Sequence, residues 1–146
     1  MRIPYLFLVC AVFLSTASAN EKTPEQVSSY LRRQGPITEH QEFHATFPNE
    51  QIVLRYCVDE NLKGGKNEGA SNPANVRCEV ALFNRKKSWI FANRLSLGQG
   101  TIHEFKGAIV KGESVTYGTN DALCCPSKKA NVIFTTAGGR LVKVRQ

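Results

Sequence analysis

Hydrophobic spacing changes character along the chain. From Leu6 to Leu14 it is continuously apolar, with Cys10 the one thiol among aliphatic and aromatic side chains. It then turns helical: Val27, Tyr30 and Leu31 recur at i, i+3 and i+4, an apolar stripe that predicts a short helix stopped by Gly35-Pro36. Thr23 is expected to cap this helix, with Pro24 in the first turn and Gln26 reaching back in a capping box, and Arg32 and Arg33 suit its C-terminal end.

Beyond Pro36 the period becomes two. Phe43, Ala45 and Phe47 alternate with His44 and Thr46, Pro48-Asn49 turns the chain, and Gln51 to Val58 is rich in β-formers. Residues 59–76 are Gly-, Asn- and charge-rich and read as one long loop. Strand character resumes from Arg77 to Phe83, and Asn84-Arg85-Lys86-Lys87 makes a basic turn into Ser88–Leu95, closing a hairpin. Glycines then punctuate short runs at Thr101–Phe105, Ala108–Val110 and Ser114–Tyr117, and a last hairpin joins Asn131–Thr136 to Leu141–Val144 through Ala137-Gly138-Gly139. The expected fold is mainly β (α+β): an antiparallel meander or small sandwich with one short N-terminal helix, stapled by disulfides.

The apolar start has a specific meaning. Arg2 precedes it and the small residues Ser15 to Ala19 follow it, so residues 1–19 read as a cleavable signal peptide with Ala17 and Ala19 at the peptidase positions. The run is too short to span a bilayer, and no later segment approaches the required length, so no membrane span is expected after processing. Residues 20–146 suit a single β-rich domain, periplasmic or secreted. Losing Arg2 lowers the formal charge from +7 to +6, a basic balance that favours acidic partners. Export argues against nucleic acid, and no cofactor is expected.

Export also redirects the cysteines. Cys57, Cys78, Cys124 and Cys125 remain after processing, and in an oxidising compartment they read as disulfides. Cys57 and Cys78 flank the long loop and can staple its base, which leaves Cys124 and Cys125 to a vicinal bridge, a strained eight-membered ring of the kind found at functional sites. The alternative ties Cys124 and Cys125 separately to Cys57 and Cys78.

Leu97-Gly98, Ile102, Gly112 to Tyr117, the element Asn120-Asp121-Ala122-Leu123-Cys124-Cys125-Pro126-Ser127, and Gly139-Arg140-Leu141-Val142 together resemble the C-terminal half of the bacterial exported LppP/LprE lipoprotein-like family. The resemblance covers residues 80–145. It implies an exported β-rich domain whose Cys-Cys pair stands without other cysteines, which favours the vicinal assignment. It implies no activity. The chain departs from the family in having no lipobox, in adding Cys57 and Cys78, and in lacking an acidic stretch before the first strands.

Catalytic signals are sparse. His40, Glu42 and His44 share one strand face and are a weak candidate for a divalent metal, although a solvated polar face explains them as well. His103 with Glu104 has acid–base capacity but no accompanying nucleophile motif. Recognition is better supplied: the loop residues Asp59, Glu60, Lys63 and Lys66, and the basic turn Arg85, Lys86, Lys87 with Trp89, are candidate partner contacts, as is the charge–aromatic pair Arg55-Tyr56. The expected function is therefore an exported non-enzymatic binding protein with a protein partner in the envelope, an inhibitor or immunity protein against an envelope-targeting toxin or hydrolase. The alternatives are an envelope-associated protein holding anionic polymers through Arg85, Lys86, Lys87, Arg140, Lys143 and Arg145, and a small exported hydrolase.

Overall fold

The computed structural model describes residues 22–60, 75–122 and 124–145, so the signal segment and the loop residues Lys63 and Lys66 lie outside the described residues. Helix α1 (Glu25–Gln34) is followed by eight strands: β1 (Ile37–Ala45), β2 (Gln51–Asp59), β3 (Val76–Arg85), β4 (Trp89–Gly98), β5 (Thr101–Lys106), β6 (Ile109–Thr116), β7 (Lys128–Thr135) and β8 (Val142–Lys143). Among the described residues, no helix is long and apolar enough to cross a membrane.

The helix begins differently from expectation. Pro24 occupies the N-cap and its carbonyl accepts from the amides of Val27 and Ser28, with no side-chain cap. Thr23 lies one residue too far out for that role, and its hydroxyl donates instead to Glu42 Oε1 at 2.7 Å, tying the helix entry to β1.

Among the described residues, all strand pairings are antiparallel except one. The sheet runs β1-β2-β3-β4-β6-β7-β8, with β5 paired to β6 and a single parallel bridge joining Gly98 of β4 to Val115 of β6. Strand β1 is longer than the alternation at Phe43 suggested, because an edge strand with one side in solvent needs little apolar patterning. Residues 109–116 form one strand rather than two short runs.

Strand β2 is buried at every position, because each of its faces meets a different core. Ile52, Leu54, Tyr56 and Val58 pack with Ala81 and Phe83 under Val27, Tyr30 and Leu31 of α1. Val53 and Cys57, with Cys78, Val80, Leu82 and Leu97, meet Ile102, Val110, Val132 and Phe134 from the second half of the sheet. The sheet thus folds over on itself, and the corner falls at Gly98 and Gly100. An added Cβ at either would collide with the Val115 or Glu113 carbonyl oxygen, and Gly98 also has φ +64°, so only glycine lets the backbones approach this closely.

The turn before β8 is pinned to the first half of the sheet by side-chain amides. Buried Gln51 donates to Asn84 Oδ1 at 2.8 Å and accepts from the Thr136 hydroxyl at 2.7 Å, and Asn84 donates to the Gly139 carbonyl at 2.8 Å. The Asn93 side chain exchanges two hydrogen bonds with the backbone of Leu141, at 2.8 and 3.0 Å.

Candidate recognition surface

The outer end of α1 and the start of β4 enclose a hollow of about 490 Å³. Its floor is aromatic for a local reason: a register shift between Leu82 and Phe83 brings Phe83 opposite Phe91, so both rings meet the helix. Tyr30 stacks on Phe91 with centroids 4.9 Å apart and meets Phe83 edge-on at 5.2 Å. Ile90 and Phe91, which alternate to opposite faces of β4, remain 46% and 42% exposed. Glu25 and Arg33 of α1 line the rim, and the Arg85 guanidinium lies 5.4 Å from the Trp89 ring centroid. Among the described residues, β4 from Trp89 to Leu97 has a strand neighbour only in β3, since β6 meets it at Gly98 alone.

A polar chain, buried at Tyr56 and Glu79 and reaching solvent at Arg94, ties α1 to β4. The Tyr30 and Tyr56 hydroxyls lie 3.0 Å apart, Tyr56 donates to Glu79 Oε2, and Arg94 pairs with the same carboxylate at 3.2 Å while donating to Gln34 Oε1 of α1 at 2.7 Å. Burial, then the hydrogen bonds to Glu79 and Tyr30, push the Tyr56 phenol well above the ordinary tyrosine range. The Arg55-Tyr56 pair expected at a contact surface is therefore internal: Arg55 is 6% exposed and Tyr56 fully buried, on opposite faces of a strand covered on both sides.

The partner-contact residues drawn from sequence divide between opposite ends of the sheet. Asp59 pairs with Val76 at one end of β2–β3 and Gln51 with Asn84 at the other, a separation of about 27 Å at strand rise. At the first end Asp59 is fully buried and Glu60 pairs with Arg77 at 3.1 Å. At the second, Arg85, Lys86 and Lys87 are exposed, whereas Trp89 is 8% exposed and belongs to the core under the helix. Gly138 and Gly139 share a hollow with Arg85 and Lys86, bringing the chain at Arg140 to this basic end, while Lys143 and Arg145 line a separate hollow with Asn131.

The acid–base candidates are engaged with neighbours. His44 Nε2 sits 3.3 Å from Glu42 Oε2, which with the Thr23 contact occupies the Glu42 carboxylate, and His40 does not converge with them. The one convergent set of three His, Cys, Asp or Glu ligand atoms among the described residues is Glu39, Cys57 and Cys78, where both sulfurs are bonded to each other. His103 borders a hollow of about 330 Å³ with Glu104 and Lys111, and the hydrogen bond from Lys111 holds the Glu104 carboxyl below its usual range. Cys57 and Cys78 are direct cross-strand partners joined in a disulfide, and Cys124 and Cys125 form the vicinal bridge.

Sequence reasoning missed the hollow. Its signal was the triple Trp89-Ile90-Phe91, too apolar for a strand with one wet face, read only as a strand. Compared with known protein families, curated proteins and solved structures, the chain finds no match.

Proposed function

We propose that this chain is an exported recognition protein that binds an acidic protein segment in the α1–β4 hollow. The observation that carries the reading is Phe91, 42% exposed and stacked on Tyr30 in an aromatic floor, with Arg33 at the rim and Arg85 over the Trp89 ring. Apolar side chains of a partner fill such a floor, and acidic ones meet Arg33 and Arg85. The unpaired side of β4 adds backbone groups that an extended segment can pair with. In this reading the protein acts as an inhibitor or immunity protein, occupying a toxin or hydrolase of the envelope, and reaches that compartment through the 1–19 signal.

The reading is tested by affinity capture from the extracytoplasmic fraction with the wild type, Ile90→Asp and Arg85→Glu, followed by calorimetry on the captured protein. Loss of about tenfold or more in affinity in each variant is expected. Capture indifferent to both changes, or tight binding to purified anionic glycan with no protein recovered, would overturn it. N-terminal sequencing of the processed chain should begin at Asn20.

A further inference from the structure

The two disulfides occupy contrasting places. Cys57 and Cys78 are 0% and 2% exposed and their bridge spans 21 residues, so it withdraws chain entropy from the unfolded state. Cys124 and Cys125 are both exposed, and a bridge between neighbours closes no loop of chain. By the loop-entropy argument that bridge contributes little to holding the fold.

The loop that carries it is held by other means. Asp121 Oδ2 accepts from the amides of Gly118 at 2.6 Å and Ser127 at 2.7 Å, and Oδ1 accepts from the Ser127 hydroxyl at 2.6 Å. The Cys125 amide also donates to the Ala122 carbonyl at 3.0 Å. One carboxylate therefore clamps both flanks of the Cys-Cys-Pro element, and none of its bonds involves sulfur. The clamp makes no use of the bridge.

We propose that Cys124–Cys125 is a thiol–disulfide exchange site, opened and closed by a dithiol of the oxidoreductase class while Cys57–Cys78 stays intact. A partner thiolate attacks one sulfur of the pair. A new disulfide forms as the Cys124–Cys125 bond breaks, and the departing cysteine sulfur leaves with the electron pair and takes a proton from water. The partner's second thiolate then attacks the mixed disulfide, so the partner departs oxidised and two thiols stand side by side at 124 and 125. Exchange requires approach of the attacking thiol to the sulfur, and exposed bridges are the labile ones. The two thiols are consecutive in the chain, so reclosure needs no search by the chain.

The test is native reduction. Folded protein is incubated with graded dithiothreitol, trapped with a maleimide and mapped by mass spectrometry. Cys124 and Cys125 should be labelled at thiol concentrations at least about tenfold below those that label Cys57 and Cys78, and oxidised glutathione should restore the bridge within the monomer. The Cys124→Ser/Cys125→Ser double variant should keep its thermal midpoint within about 2 °C of wild type. Simultaneous opening of both bridges, earlier labelling of Cys57 and Cys78, reoxidation into dimers, or an unfolded double variant would each overturn the proposal.

Discussion

Arg55 Nη2 lies 2.6 Å from Glu39 Oε1, joining a guanidinium that is 8% exposed to a carboxylate that is 57% exposed. The same arginine donates through Nε to the Gly100 carbonyl at 3.0 Å and approaches Cys78 Sγ at 3.5 Å. One side chain thereby fastens β2 to the edge strand β1 and to the corner where the sheet folds over.

The two partners should not be equivalent. Glu39→Gln removes a half-solvated charge and should cost about 1 kcal/mol or less, because water screens most of that attraction. Arg55→Ala leaves the Gly100 carbonyl without its donor and opens a void in the fold, and should cost about 3 kcal/mol. Urea denaturation of both variants decides this, and equal losses would contradict the burial asymmetry.

Tyr56 makes stability fall at high pH. Its phenol titrates higher in the folded state than in the unfolded state, so the stabilisation is fully present below about pH 10 and is lost as pH rises beyond it. Absorbance titration at alkaline pH should show Tyr56 silent until the protein unfolds. Tyr56→Phe should flatten the alkaline arm while lowering stability near neutrality by about 1 to 2 kcal/mol, since Glu79 loses its donor.

Gly98→Ala and Gly107→Ala test the corner. Both residues have positive φ, near +64° and +59°, but a Cβ at Gly98 meets the Val115 carbonyl whereas one at Gly107 meets open space. Gly107→Ala should cost only the left-handed penalty of about 1 kcal/mol, and Gly98→Ala more than about 2 kcal/mol. Thermal denaturation giving equal shifts would show that the corner yields.

Asp121 sets an acid limit on the Cys-Cys-Pro loop. Hydrogen bonds from the Ser127 side chain and from the Gly118 and Ser127 amides hold its carboxyl below the usual range, so loop order is present above about pH 4 and is lost as pH falls through the depressed folded value. Hydrogen exchange at the Gly118 and Ser127 amides should quicken by about tenfold or more in Asp121→Ala. Unchanged exchange there would remove the clamp from the account.

Much of the fold was legible in the chain. The Val27, Tyr30 and Leu31 stripe located the helix, and the strong apolar runs located β2, β3 and the hairpin to β4, because burial on one face repeats with the local geometry of each element. Strand β1 was only half legible. Its segment from Ile37 to Glu42 is almost wholly polar, and it is held in the sheet by pairing with β2 rather than by its own side chains. The site was less legible still. Arg85, Lys86 and Lys87 stood out as a basic turn, but nothing local showed that Trp89 is drawn into the core while Ile90 and Phe91 stay outside.

The sequence by itself determined the mainly β character, the short helix α1 and the placement of Cys57 and Cys78 on facing strands, since these follow from residue spacing over a few positions. The tertiary structure alone decided that Asp59 and Arg85 stand at opposite ends of the sheet, that Arg55 and Tyr56 are internal, and that Asp121 clamps the Cys124–Cys125 loop. The physical reason is range. Periodicity records only that a side chain is buried, whereas its partner depends on which distant strands meet and in what register.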